Sequence, residues 1–378
     1  MSDISQAELE AYRRDPDHHR HTPGCPEDPR WQHYRDLPHY HYLKVANRLR
    51  FCGQMDMAWT LMLVKQDLLD KPTAAKALKV LKDSQTEQGW GGEKWIKKKL
   101  PDHDERVASA VNYGRTLQEP MARMMMREAL LDVFEELFMA MESLLNIAEA
   151  NVDTLMAGHS HWAHAQPTTY AAYLLAIHDQ LARGMEQLEL AYRHTNQNSG
   201  GCGACSGTGW PVDRETVTEL LGFDKTIDVS YDCEGSMDEM MTILFACSNL
   251  ALTLSRTALD HNVWVTEEWN LFHVEMQWRG VSSFMPQKAN AGNVFEHMRM
   301  AANEVLGNMS TGVFSFKNEP VQDVLPVYKA DRYPLRAMGE LIRGLGLLGS
   351  MLPHVKPNRE RMEQLVREGF SGSPDLAI

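Results

Sequence analysis

Residues 237–268 read MDEMMTILFACSNLALTLSRTALDHNVWVTEE, an unbroken stretch with no glycine or proline and apolar residues at three- and four-residue spacing. The spacing predicts one long helix, with Ser236 as a candidate N-cap. Apolar residues fall on more than one face, as in Leu244-Phe245-Ala246-Cys247-Ser248-Asn249-Leu250-Ala251-Leu252. A helix apolar nearly all round must be buried nearly all round.

Four further stretches repeat the pattern. From Met121 to Ala157 the apolar series runs Leu130, Val133, Leu137, Met141, Leu144, Leu145 and Ile147. A helix from Thr168 to about His194 is opened by Pro167 and Thr168. Another spans about Val294 to Val313, and one from Arg332 to Met351 is closed by Pro353. These are ~20–35 residues each, or ~30–50 Å at the helical rise, well beyond the usual three turns. Strand signals are sparse, and 196–212 and Trp269–Gly292 are the main non-helical regions after the first domain. The fold class is therefore all-α, a long-helix bundle. One chain offers too few long helices to cover all this apolar surface, so the bundle is expected to be shared between subunits. The chain divides into a small N-terminal helical domain (1–110), a long-helix domain (111–352) and a short tail (353–378).

Composition narrows the function. The 378 residues are 43% hydrophobic and 24% charged, as in an ordinary soluble globular protein. No run of ~18 apolar residues marks a membrane span, and the polar N-terminus without a secretory core points to the cytoplasm. A net charge of -13 argues against nucleic acid as a main partner, but not against an anionic small substrate served by a few local cations. The 23 methionines fall mostly at helical spacing and read as core filler. Of the 6 cysteines, Cys202 and Cys205 form C-x-x-C within GGCGACSG. A zinc knuckle would need a second such pair, so a glycine-rich loop is the preferred reading. His18, His19 and His21 read as a polar tail rather than a metal site.

Between two of the long helices lies Gly280-Val281-Ser282-Ser283-Phe284-Met285-Pro286-Gln287-Lys288-Ala289-Asn290-Ala291-Gly292. Flanking glycines and Pro286 make it a loop. Two hydroxyls, an ammonium and two amides in nine residues suit removal of a carbon-bound proton beside a carboxylate. Lys288 and Asn290 can hold the doubly charged aci-carboxylate that develops in the transition state. A serine can act as base where an ammonium and backbone N–H groups stabilise its alkoxide.

Ser282, Ser283, Met285, Pro286, Lys288 and Asn290 also match the aspartase/fumarase superfamily signature G-S-S-x-M-P-x-K-x-N, and Gln287 resembles the argininosuccinate lyase branch. The resemblance covers most of the chain. Gly158 to Pro167, GHSHWAHAQP, is similar to the family's G-x-T-H-x-x-x-A-Q-P; Asn112-Tyr113-Gly114-Arg115-Thr116 stands where H-T-G-R-S is usual. Gly207–Glu215 with Leu220–Phe223 resembles a further argininosuccinate lyase stretch, and Asn318 and Gln322 fall in the Y-N-x-D-L-Q segment.

The resemblance implies a carbon–nitrogen lyase that eliminates an amine from an N-substituted aspartate and releases fumarate. Ser282 is then the base at Cβ. Lys288 and Asn290 bind the adjacent carboxylate, with Ser283 beside the base. His161 serves the leaving nitrogen, and Ser160 hydrogen-bonds a carboxylate. Arg115, Thr116, Gln118 and Gln322 complete the substrate-binding set. The resemblance further implies a homotetramer whose sites draw on different subunits, and no metal or organic cofactor.

The sequence departs from the family at several positions. Val281 replaces a glycine, and one extra residue precedes Glu296, the candidate partner of His161. Leu117-Gln118-Glu119 replaces R-N-D, Lys317 replaces a tyrosine and Leu325 a lysine. Recognition positions thus differ while the elimination residues stand, so the leaving amine is expected not to be arginine. Near the C-terminus GFSGSPDLAI resembles the entry to a further helical domain, either absent or lost by shortening. Competing readings are an aspartase-like or adenylosuccinate lyase-like enzyme, or a non-catalytic homologue of the delta-crystallin kind; the latter predicts loss of Ser282, His161 or Lys288, all present here.

Overall fold

A computed structural model describes residues 29–36, 45–85, 87, 91–116, 119–236, 238–281, 284, 289–290, 292–324, 329–369 and 372. The N-terminal helices are α1 (Pro29–Asp36), α2 (Val45–Lys65), α3 (Lys71–Ser84), α4 (Glu93–Lys99) and α5 (Glu105–Ala110). Next come α6 (Met121–Glu149), a hairpin of β1 (Leu155–Ser160) and β2 (Ala163–Thr169), and α7 (Tyr170–Thr195). β3 (Gln197–Asn198), α8 (Arg214–Leu221), β4 (Lys225–Thr226) and α9 (Ser230–Gly235) follow, then α10 (Asp238–Trp264) and β5 (Phe272–Val274). The chain continues through β6 (Gly280–Val281), β7 (Ala289–Asn290), α11 (Asn293–Phe316), α12 (Arg332–Met351), β8 (Val355–Pro357) and α13 (Arg359–Glu368). The strands form only two-stranded ribbons among the described residues: β1–β2, β5–β8 and β6–β7 antiparallel, β3–β4 parallel.

The five long helices α6, α7, α10, α11 and α12 pack side by side, each neighbour against the next, with α12 returning to α6. Their interior is a continuous core including Leu130, Val133, Leu137, Leu174, Leu181, Leu250, Leu254, Met298, Leu341 and Leu348. Close approach is set by small residues. A Cβ at Gly184 would lie 2.3 Å from the Leu250 side chain and one at Gly344 2.3 Å from that of Leu254, so any larger residue there would force these leucines to move. The run Ser230–Trp264 is long and apolar enough by composition to cross a membrane. Its α10 portion is packed on α7, α11 and α12, the use expected of a core helix.

Not all of the apolar surface is covered. Leu131, Phe138 and Leu145 of α6 are exposed at seven-residue intervals, as are Phe245, Leu252 and Leu259 of α10. Met300 and Phe314 of α11, fourteen residues apart, are exposed too. A seven-residue apolar period is the pattern of a seam between helices that supercoil about one another.

Three sequence expectations are corrected. The helix expected to run to Ala157 stops at Glu149, because Asn151 and Thr154 form a turn: the Asn151 amide donates to the Ile147 carbonyl at 2.8 Å and the Thr154 hydroxyl to Asn151 Oδ1 at 2.8 Å. The following helix is opened by Thr169, whose Oγ1 accepts from the Ala172 N–H, while Pro167 lies in β2 opposite Ala157. Ser236 closes α9 as its C-cap.

Candidate active site

The matched regions divide between the two ends of the bundle. At one end, the β1–β2 hairpin pairs Ser160 with Ala163, leaving His161 and Trp162 as a two-residue turn. Both have positive φ, 53° and 66°, the left-handed conformation of the tight hairpin turn that favours Asn-Gly. The turn carries both side chains outward: Ser160 and His161 are exposed, and Trp162 is 84% exposed. His161 is thus a histidine at a hairpin tip. Next to the turn, His159 packs against Trp269 with the rings tilted at 5.3 Å and meets His164 edge-on at 5.1 Å, and α13 packs along β1. Burial and the His164 charge hold His159 below the usual imidazole range.

At the same end, β6 and β7 pair Gly280 with Asn290 and Val281 with Ala289. This ribbon draws the two arms of the serine–lysine loop together directly before α11. The Asn262 amide donates to the Gly292 carbonyl at 3.3 Å, tying the ribbon to the end of α10. Asn290 is placed by its backbone in β7, and Phe284 stands 91% exposed between the arms. Ser282, Ser283 and Lys288 lie outside the described residues. Glu296 is exposed in the first turn of α11, and among the described residues no hydrogen bond or ion pair joins it to His161 within the chain.

The opposite end holds the other two regions. Gly114, at φ 76°, turns the chain after α5, and Arg115 folds inward. Its guanidinium pairs with Asp56, both side chains having no exposure, and it donates to the carbonyls of Val111 and Thr116. Burial pushes the Asp56 carboxyl up while the Arg115 charge pulls it down. Arg115, expected on the substrate, instead anchors the loop. Thr116 is exposed and donates to Glu119 Oε1 at 2.7 Å. Buried Glu119 also accepts the N–H groups of Gly201 and Ala204, each at 2.8 Å. Gln118 lies outside the described residues. Gln322 is exposed, and its backbone presses on Gly235, where a Cβ would lie 3.1 Å from the Gln322 nitrogen. Glu234, beside Gly235, accepts from Ser199 at 3.3 Å, and burial with the nearby Glu119 charge pushes its carboxyl up to about 8.

The two ends are far apart. α7 joins the hairpin to the Asn196–Gly207 corner through 26 residues, about 39 Å of helix. α11 joins the β6–β7 ribbon to the Gln322 segment through 24 residues, about 36 Å. A single chain therefore does not bring His161 and Asn290 to Thr116 and Gln322.

A family model described as lyase matches residues 75–307. The chain belongs to this lyase family. Its curated relatives include argininosuccinate lyases from Methanocaldococcus jannaschii, 29% identical over 344 residues, covering 85% of this chain and 69% of the relative, and from Methanothrix thermoacetophila, 30% identical over 333 residues, covering 85% and 68%. Among solved structures, EDDS lyase in complex with formate superposes with a TM-score of 0.80 at 25% identity, covering 94% of this chain and 72% of that one. A class II fumarase from Schistosoma mansoni, at 14% identity and a TM-score of 0.75, shares the fold. The lyase is an argininosuccinate lyase-like member of the aspartase/fumarase superfamily, an all-α enzyme of the carbon–nitrogen lyase type.

Within this lyase, two residues escaped the sequence reading. Glu119 was read only as a departure from the family, though a buried carboxylate gathering a hydroxyl and two backbone N–H groups organises that end. Asp56 sits mid-helix among apolar neighbours, and a lone acid at a core-facing helical position was its signal.

Proposed function

We propose that this lyase eliminates an amine from an N-substituted aspartate and releases fumarate, at sites assembled between subunits of a homotetramer. The observation that carries the reading is the roughly 36–39 Å separation of the two ends. A second copy running antiparallel would set the hairpin and ribbon of one chain beside Thr116 and Gln322 of another. The seven-residue apolar stripes on α6 and α10 are the surfaces such copies would share. Relatives named argininosuccinate lyase, and a structure of an EDDS lyase variant with bound fumarate, support the reaction class.

In this reading Ser282 Oγ, as alkoxide, takes the proton from Cβ. The electron pair left behind spreads into the adjacent carboxylate as an aci-carboxylate, held by Lys288 and Asn290 with Ser283 nearby. Collapse of that pair forms the Cα–Cβ double bond and breaks the bond to nitrogen. The nitrogen leaves with its electron pair and takes a proton on the His161 side. Ser160, Thr116 and Gln322 hold the carboxylates, with Gln118 in place of a shorter amide. The chemistry calls for no metal or organic cofactor, and the enzyme would act in the cytoplasm. The altered positions 117–119, 317 and 325 favour an amine other than arginine.

The test is the reverse reaction. Purified protein is mixed with fumarate and a panel of amines, arginine and ammonia included, and the loss of fumarate absorbance is followed. Loss with one amine, abolished in Ser282→Ala, supports the reading. Arginine as that amine overturns the altered specificity, and undiminished activity in Ser282→Ala overturns the base.

A further inference from the structure

Three cysteines that the elimination does not use gather where the 199–207 loop meets α9. Cys202 and Cys233 are both buried and share an apolar contact with Ile227. The Cys233 thiol donates to the Ile227 carbonyl at 3.7 Å. Arg214 Nη2 donates to the same sulfur at 3.3 Å, while its Nε is fixed on the Gly200 carbonyl at 2.8 Å. The Cys205 sulfur accepts the Asp323 backbone N–H. The Cys202 thiol, then the Arg214 and Arg123 charges, draw the Cys233 thiol below the usual range against the opposing effect of burial. A thiol with a guanidinium nitrogen at 3.3 Å and a second buried thiol packed in the same cluster is the arrangement of an oxidisable pair rather than an inert core cysteine.

We infer that Cys202 and Cys233 form a modification site, a thiol pair that a hydroperoxide converts to a disulfide. Cys233 gives up its thiol proton and its sulfur attacks the hydroxyl oxygen of the hydroperoxide; the O–O bond breaks, the sulfur is oxidised by two electrons to a sulfenic acid, and the departing alkoxide or hydroxide takes up that proton to leave as alcohol or water. Cys202 sulfur then attacks Cys233 sulfur. The S–O bond breaks, and the released hydroxide leaves as water with the Cys202 proton. Cys233 lies on a six-residue helix beside exposed Tyr231 and Asp232, so a local opening admits the peroxide.

The corner also holds Glu119, through Gly201 and Ala204, and the Gln322 segment, through Gly235. A covalent S–S bond of about 2.05 Å draws the sulfurs much closer than a thiol contact. It therefore shifts the loop that fixes both. Resting on the proposed function, this displacement lowers lyase activity reversibly.

The experiment treats the full-length protein with hydrogen peroxide, alkylates remaining thiols and maps the peptides by mass spectrometry. A Cys202–Cys233 cross-link, removed by dithiothreitol, is expected, and Cys202→Ser should leave Cys233 as a sulfenic acid that dimedone captures. Both cysteines fully alkylated after treatment, or a cross-link only between Cys202 and Cys205, overturns the inference. This readout needs no lyase activity, so it stands apart from the reading of the reaction. Where an amine is turned over, a several-fold loss on oxidation, restored by dithiothreitol and missing in Cys233→Ser, supports the link to the site, and unchanged activity of cross-linked protein overturns it.

Discussion

Glu119 accepts the backbone N–H of Gly201 at 2.8 Å across 82 residues of sequence, joining the start of α6 to the corner after α7. The same carboxylate takes the Ala204 N–H and the Thr116 hydroxyl. Glu119→Ala strands two N–H groups in a largely closed corner, at about 1–3 kcal/mol each. Its urea midpoint should fall clearly, and amine addition to fumarate should fall with it. Glu119→Gln keeps one acceptor oxygen and should lose less of both. Equal stability of wild type and Glu119→Ala would refute this role.

The pair formed by Arg115 and Asp56 makes a second case. Neither side chain has any exposure, so removing one partner leaves a charge in the core. Asp56→Ala should cost about 3–5 kcal/mol, whereas replacing both partners with apolar residues of similar size should restore most of it. Denaturant unfolding of Asp56→Ala and of the Asp56→Leu, Arg115→Met double variant checks this. A double variant as weak as the single one would show that hydrogen bonds to Val111 and Thr116, rather than the unpaired charge, dominate.

These two clusters mark where sequence reasoning reached its limit. The long helices were legible because a core-facing stripe must recur at the helical period, and Arg332–Met351 fell where that stripe placed it. The hairpin was not, since 155–169 alternates weakly and its turn carries His-Trp where Asn-Gly would have announced it. Motif likeness found Arg115 but not its direction. Whether a guanidinium meets substrate or a buried acid depends on Asp56, one helix away in space and 59 residues away in sequence.

Stability should also depend on pH through Glu234. Its folded carboxyl is pushed up to about 8 from an ordinary 4.5, so between these values the folded chain binds a proton that the unfolded chain releases. Stability contributed by the neutral form is therefore present below pH 4.5 and declines as pH rises towards 8, by an amount on the order of a few kcal/mol. Glu234→Gln should flatten this slope between pH 5 and about 8 in thermal unfolding. An unchanged slope in the variant would assign the pH dependence elsewhere.

The hairpin tip offers the sharpest separation of stability from activity. His161 and Trp162 both occupy left-handed backbone, which costs side-chain-bearing residues on the order of 1–3 kcal/mol each, and Trp162 gains little burial in return within the chain. Such strain persists only where something outside the turn repays it. Asn-Gly adopts the same turn without that cost. The double variant His161→Asn, Trp162→Gly should therefore melt several degrees higher than wild type while losing most of its amine addition. Trp162→Gly alone separates the contributions: if the indole borders the leaving amine, KM for the amine rises while His161 still supports turnover. A double variant that keeps full activity would remove His161 from the reaction. One that gains no stability would show that the hairpin is held without strain.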